Sequence, residues 1–237
     1  MNQRSRETKL KWLAIGLGVV LVILDQVVKF LVKTNMVVGQ AIPVFGDWFK
    51  ILFIENNGMA FGMQLGGTLG KFLLTAFRLV LIILLSYYIH KLIRKETTPT
   101  GVIVGFTLIV VGALGNLIDS LFYGMLFSAS TTTQVAQFLP NGGGYAPFFY
   151  GKVVDMLYFP IIDTTWPAWM PGIGGKPFHF FDAIFNIADS CITIGAFYLV
   201  IFQWKFFSHN AGEAKQEDTV NAGGAKSDKS APAQRKR

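Results

Sequence analysis

The chain has 237 residues, of which 52% are hydrophobic and only 15% are charged, and its mean hydropathy is +0.46. Soluble domains carry about 25% charged residues, so this composition excludes an ordinary soluble protein. The net charge of +7 does not indicate a nucleic-acid partner, because Lys and Arg crowd the chain ends and one short connection.

Four apolar runs have the length of membrane spans. They are residues 12–32, 72–89, 102–118 and 187–207. A helix needs ~20 residues to cross a hydrocarbon core of roughly 30 Å, and lipid forces such runs to satisfy their own backbone amides as helices. The first run is longer than the apolar core of a signal peptide, and no small-residue cleavage site follows it, so we expect it to be retained.

Lys and Arg predict the orientation of these spans. They cluster before the first run, between the second and third, and after the fourth, whereas the other two connections are poor in them for their length. Excess positive charge is typical of cytoplasmic segments. We therefore expect both termini in the cytoplasm and the two long connections on the outer side.

The predicted organisation has three parts. Residues 1–11 form a cytoplasmic N-terminus, residues 12–209 a four-span membrane domain, and residues 210–237 a tail too poor in large apolar residues to fold. Residues 42–63 predict a small β-structure with turns. Residues 120–181 are dense in Pro, Gly and aromatics, which favour the membrane interface. The predicted fold class is a membrane protein, mainly α, with four transmembrane helices, a small extracytoplasmic β-structure and an interfacial loop region.

Ionisable residues inside the spans are costly and are candidates for function. Asp25 and Lys29 are four residues apart and predict an ion pair. That pair either holds the structure, with Lys29 reaching toward the outer interface, or positions a substrate. Arg78 lies near the outer start of the second run, and we expect it to reach toward the interface.

Asp and Asn cluster at the outer ends of the third and fourth runs. Asn116 and Asp119 are three residues apart, as are Asn186 and Asp189, so each pair shares a helix face. Two such faces can form a catalytic or ion-handling site, or a seam of structural hydrogen bonds. If Asp189 meets a second carboxylate, such as Asp155 in the preceding connection, the two share one proton. Such a dyad activates water with one member and protonates a peptide carbonyl with the other.

This chemistry requires neither a metal nor a thiolate. The single cysteine, Cys191, and the three scattered histidines give no metal-binding motif and no disulfide within the chain, so we expect no cofactor and no metal. Cys191 is interpreted as a small packing residue.

The chain resembles the type II, or lipoprotein, signal peptidases of bacteria over residues 12–207. Each short motif alone is weak, but five in order with the same four-span topology are specific. The segments that carry the resemblance are Asp25-Gln-Val-Val-Lys29, Asn56-Asn-Gly-Met-Ala-Phe61, Gly112-Ala-Leu-Gly-Asn116-Leu-Ile-Asp119, Gly151-Lys-Val-Val-Asp155 and Phe185-Asn186-Ile-Ala-Asp189.

The resemblance implies an aspartic endopeptidase of the bacterial cytoplasmic (inner) membrane. It would remove signal peptides from prolipoproteins at the outer face, cutting before a diacylglyceryl-modified cysteine. Its partners would be lipid-modified prolipoproteins and membrane lipids, with no nucleic acid, and we expect a monomer. The implied catalytic residues are Asp155 and Asp189. The implied supporting residues are Asp25, Lys29, Asn56, Asn116, Asp119 and Asn186.

Roles for the supporting residues follow as hypotheses. We expect Asn186 to orient Asp189, and Asn56 and Asn116 to hydrogen-bond the substrate backbone. Asp25 and Lys29 would then hold the architecture of the site.

The chain departs from the family pattern in two respects. Many members have Arg directly after the third-motif aspartate, where this chain has Ser120; Arg78 is a candidate to compensate. Residues 126–150 and 163–176 look inserted, which leaves gating of the site and substrate preference open.

Two other classes of function stay open on the residues alone. A small transporter could use the Asp and Asn cluster to bind a cation, although transporter sites usually lie near the bilayer midplane and Asp155 is expected on an outer loop. A scaffold with a polar interhelical seam would tolerate replacement of the carboxylates.

Overall fold

The fold is mainly helical. The computed structural model describes residues 2–57 and 67–208, and in this part three helices are long and apolar enough to cross a membrane. They are α1 (Gln3–Asn35), α2 (Gly67–Arg94) and α3 (Thr100–Ile118), which continues through a π-helical turn (Asp119–Tyr123) into the short α4 (Gly124–Leu126). A fourth apolar helix, α5 (Ile187–Phe202), has 16 residues.

The four predicted apolar runs are therefore all helical, as a multi-pass membrane protein requires. At 1.5 Å per residue α5 is about 24 Å long. It ends at Phe202, where Gln203 leaves the helical conformation while its backbone N–H still bonds the Leu199 carbonyl at 3.1 Å. Residues 204–208 are helical again, so the predicted run to Phe207 is helical except at Gln203.

Helix α3 lies at the centre of the bundle and packs against α1, α2 and α5. Its small residues allow this: a Cβ at Gly112 would lie 2.2 Å from the Ala188 carbonyl oxygen, inside hard contact. The prediction that small residues let the third span approach a neighbour closely is confirmed. On the outer faces of α1, α2 and α5, exposed Leu, Ile, Val and Phe side chains form the surface that lipid would cover.

All six strands of the described region lie in the α1–α2 and α4–α5 connections, at the same end of the bundle. Four of them form an antiparallel sheet in the order β1 (Ala41–Phe45), β2 (Phe49–Asn56), β3 (Val153–Tyr158) and β6 (Ile184–Phe185). The other two, β4 (Ile162–Thr165) and β5 (Pro177–Phe180), pair with each other.

The predicted β-structure at 42–63 is confirmed as β1 and β2, and residues 58–63 lie outside the described residues. Strand β3 corrects the expectation of a loop around Asp155. Both faces of β3 are buried: Val154 and Met156 pack with Phe53 in the core, whereas Asp155 points to the opposite face. The short buried run lacks the apolar–polar alternation that marks a half-exposed strand.

Residues 126–150 pack beside the end of α1. Phe127 contacts the ring of Phe30, and the Val38 amide donates to the Thr131 carbonyl at 2.9 Å. The inserted segment thus packs against the end of α1 and the residues that follow it.

Candidate active site

Asn186 connects the two aspartates that the sequence singled out. It is the N-cap of α5: its Oδ1 accepts from the Asp189 amide at 2.8 Å, and Asp189 Oδ2 accepts from the Asn186 amide at 3.3 Å. This reciprocal arrangement is a capping box. The Asn186 Nδ2 donates to Asp155 Oδ1 at 2.7 Å, so this fully buried residue contacts the Asp155 carboxylate through its side chain and the Asp189 carboxylate through its backbone N–H.

Asn116 fixes the other side of Asp189. Its Nδ2 donates to Asp189 Oδ1 at 2.7 Å, while its Oδ1 accepts from Lys29 Nζ at 2.9 Å and from Asn186 Nδ2 at 3.0 Å. Because an ammonium can only donate, Lys29 determines which way this amide faces. Asn116 is only 2% exposed, and its amide groups already bond Asp189, Lys29 and Asn186, so its expected contact with a substrate backbone stays a prediction.

Asn56 is the third asparagine at the site. It lies on β2, is partly exposed, and its Nδ2 donates to Asp155 Oδ2 at 3.1 Å. Both oxygens of Asp155 therefore accept a hydrogen bond from an asparagine amide. The prediction that Asn56 also contacts substrate is compatible with its exposure.

Lys29 is the centre of a buried charge network. Its Nζ lies 2.9 Å from Asp25 and 2.8 Å from Asp119, and all three side chains are at most 3% exposed. The expectation that Lys29 reaches toward the interface is wrong, because the two carboxylates compensate for its burial. The ion-pair interpretation holds, with Asp119 as a partner that the spacing of Asp25 and Lys29 did not indicate.

The two carboxylates of this network hold the elements that carry the dyad. Asp25 Oδ1 accepts from the Ala188 amide at 2.9 Å, next to Asp189, and Asp119 Oδ2 accepts from the Val154 amide at 3.3 Å, next to Asp155. Sequence reasoning missed Gln26, whose Nε2 donates to Asp119 at 2.9 Å. Its position inside the first motif was the available signal.

Burial raises the pKa of Asp155 to about 7, and the negative charge of Asp189 adds to this effect, although hydrogen bonds from Asn56 and Asn186 oppose it. A carboxyl group with such a pKa holds a proton for a large part of the time at neutral pH. The site thus presents a carboxyl group of raised pKa and a second carboxylate, and both accept hydrogen bonds from Asn186.

A second buried cluster adjoins the site at Glu55, the residue before Asn56. The Glu55 carboxylate contacts Lys33 and lies 3.0 Å from Lys152 Nζ, and Lys33 Nζ also donates to Ser130 at 3.0 Å. Burial alone would raise the pKa of Glu55, but the ammonium groups of Lys33 and Lys152 outweigh burial and lower it. This cluster joins α1, β2 and the segment before β3, and sequence reasoning missed it because its members are far apart in the chain.

Helix α2 turns a polar face toward the site. Lys71, Thr75 and Arg78 follow a helical repeat, and Lys71 Nζ donates to the Asn57 carbonyl at 3.0 Å. The positive charge of Arg78 interacts favourably with Asp189, Asp119 and Asp155. Arg78 is half-buried on this face of α2, so its positive charge lies on the side of the helix that faces the site.

Ser120 does not supply a charge in place of the family Arg. It is fully buried, and its Oγ donates to the Asn116 carbonyl at 3.0 Å within the same helix. Arg78 accordingly provides positive charge near the dyad from another helix.

Within residues 2–57 and 67–208, no group of three His, Cys, Asp or Glu side chains is arranged to hold a metal ion. Cys191 is a buried free thiol on α5, in keeping with a packing role.

Comparison with known proteins points to one family. The profile of a family described as signal peptidase (SPase) II matches residues 17–205. A lipoprotein signal peptidase of Porphyromonas gingivalis is 48% identical over 186 residues, which is 78% of this chain and 80% of that protein. One of Amoebophilus asiaticus is 35% identical over 196 residues, 82% of this chain and 78% of that protein.

Solved structures agree with this similarity. A bacterial membrane enzyme whose structure was determined by the in meso method is 27% identical to this chain, with a TM-score of 0.52. The match covers 83% of this chain and 90% of that one.

Proposed function

We propose, because the chain belongs to the signal peptidase II family, that Asp155 and Asp189 are the catalytic pair of a membrane-embedded aspartic endopeptidase. The reaction is the removal of signal peptides from prolipoproteins. The observation that carries the residue assignment is that Asn186 donates to both carboxyl groups, to Asp155 from its side-chain amide and to Asp189 from its backbone N–H. Burial raises the pKa of Asp155 to about 7, so the pair offers a proton donor beside a second carboxylate. Membership in this family removes the grounds for a transporter or a scaffold.

The geometry supports a division of labour within the pair. Protonated Asp155 donates to the carbonyl oxygen of the scissile bond, while ionised Asp189 takes a proton from the water that attacks the carbonyl carbon. Asp189 then passes that proton to the leaving nitrogen as the C–N bond breaks, and Asp155 recovers its own from the collapsing intermediate. The products are a signal peptide with a new carboxyl terminus and a lipoprotein with a new amino terminus.

The substrate and the side of the membrane extend this proposal. We place the cut before a diacylglyceryl-modified cysteine at the outer face of the cytoplasmic membrane. The site lies at the strand-bearing end of the bundle, whereas Lys91 and Arg94 lie in the last turn of α2 at the other end, which suits the cytoplasm. A monomer suffices, because both aspartates come from one chain.

The membrane domain at 12–209 would contain all the machinery. The N-terminus and the tail at 210–237 would both be cytoplasmic, and residues 209–237 lie outside the described part of the chain.

The test is cleavage of a purified diacylglyceryl-modified precursor by wild type, Asp155→Asn and Asp189→Asn in a chelator-containing buffer. Loss of one acid–base group lowers such rates by about 10²–10⁴-fold. Asp47→Asn is the matched control, because Asp47 is fully exposed in the turn between β1 and β2. Processing by either dyad variant at the rate of this control would refute the assignment.

A further inference from the structure

The strand that carries Asp155 continues into an arm. Leu157 pairs with Phe185 on β3 and β6, and farther along Ile162 pairs with Phe180 on β4 and β5. Both ladders keep one register, so together they form a single antiparallel ribbon that is interrupted at 159–161 and 181–183. We call residues 159–183 the arm. The seven residues that follow Tyr158, as far as Thr165, allow a reach of up to about 23 Å beyond the sheet at ~3.3 Å per residue.

The tip of the arm, residues 164–175, carries no charged side chain. It contains Trp166, Trp169, Met170 and Ile173, and Trp169 is 78% exposed. Ile161 and Ile162 at the base of the hairpin are also exposed. Large exposed apolar side chains grouped on one uncharged segment are typical of an interaction site.

Several backbone groups of the tip hydrogen-bond to one another. The Trp166 amide donates to the Lys176 carbonyl and the Gly175 amide to the Trp166 carbonyl, both at 2.9 Å, and the Gly174 amide donates to the Met170 carbonyl at 2.9 Å. The Trp166 ring packs against Phe178 at 4.6 Å between centroids. The tip therefore holds a turned backbone by internal hydrogen bonds while Trp169 stays exposed.

We propose that the arm tip, residues 164–175, is a membrane-interface anchor that inserts Trp169 and Ile173 into the leaflet beside the active site. The occupant is the bilayer, because this chain spans one and because the arm leaves the bundle at the end where the helices meet the strands. Trp is the residue that most favours the boundary between headgroups and hydrocarbon. Since the arm is continuous with β3, the anchor sets the depth of Asp155 relative to the membrane.

The test reads tryptophan fluorescence and does not depend on cleavage. A chain that keeps Trp169, with Phe at positions 12, 48, 166 and 204, is placed in nanodiscs of phosphatidylcholine with and without bromine on the acyl chains. Bromolipid should quench Trp169 strongly, whereas iodide in the buffer should quench it weakly. Quenching by iodide and not by bromolipid would overturn the proposal.

Matched substitutions locate the effect. Ile173 and Val135 are both 37% exposed, on the arm tip and on the 126–150 segment. Ile173→Asp should reduce bromolipid quenching of Trp169 severalfold, and Val135→Asp should leave it unchanged. Equal effects of the two substitutions would contradict insertion of the tip. Bromolipid quenching that requires added lipidated precursor would also contradict it, because the occupant would then be the substrate.

Discussion

Replacement of Lys29 with methionine tests the buried charge network that holds the site. Methionine fills much of the same space but removes the ammonium that lies 2.9 Å from Asp25 and 2.8 Å from Asp119. Two carboxylates then remain in a region with at most 3% exposure. Loss of one partner from a buried ion pair costs about 3–5 kcal/mol, because the remaining charge has neither water nor a counter-charge.

That cost has a measurable size and a pH dependence. A chain of this length loses roughly 2–4 °C in Tm per kcal/mol, so we expect Lys29→Met to melt roughly 6–20 °C below wild type at neutral pH. Acidification should reduce the difference in Tm between wild type and the variant, because protonation of one carboxylate relieves the repulsion between Asp25 and Asp119. Loss of processing should accompany it, since Lys29 also orients Asn116.

The assay is thermal unfolding in one detergent, followed by intrinsic fluorescence. Lys50→Met is the matched control: Lys50 pairs with fully exposed Asp47 at 3.8 Å, and such pairs contribute 0.2–1 kcal/mol or less. The double variant Lys29→Met/Asp119→Asn should regain part of the lost stability. A Tm for Lys29→Met no lower than that of the control would refute the reasoning.

Three further substitutions probe the surroundings of the dyad. Asn56→Ala removes a hydrogen bond that lowers the pKa of Asp155, so the pKa of Asp155 should rise above about 7. The decline of kcat/KM on the alkaline side should then occur at a higher pH than in wild type. A decline at the same or a lower pH would contradict this. Glu55→Gln should destabilise the protein by a few kcal/mol at neutral pH, because Lys33 loses its buried counter-charge. Since the pKa of Glu55 is lowered by folding, its contribution is present at neutral pH and lost as pH falls below about 4, so the Tm values of wild type and variant should converge there. Arg78→Gln should lower kcat/KM severalfold, because a positive charge on α2 stabilises the anionic dyad. Arg78→Lys keeps the charge and should lower kcat/KM less. Equal losses in the two variants would show that the charge of Arg78 is not responsible.

Hydropathy predicted the helices because a membrane span is a local property of some twenty residues. Spacing also revealed the relation between Asn186 and Asp189, which proved to be a capping box, since a helix start is equally local. The family resemblance supplied Asp155 as the second carboxylate.

Local sequence patterns could not predict which distant residues and strands pair with each other. Strand β3 pairs with β2 across roughly a hundred residues, and neither sequence alone indicates the other. Lys29 could be paired with Asp25 from spacing, but its contact with Asp119 exists only because α1 and α3 pack together. Arg78 could have been assigned to the site from its repeat with Lys71 and Thr75, which marks one face of α2.

Asn186 has two structural roles, and together they bear on how the site forms during folding. Its side chain caps α5 and donates to Asp155, and its backbone N–H donates to Asp189. The start of α5 and the placement of the two aspartates therefore depend on one residue, so the pair can take this geometry only when α5 has formed and packed on α3.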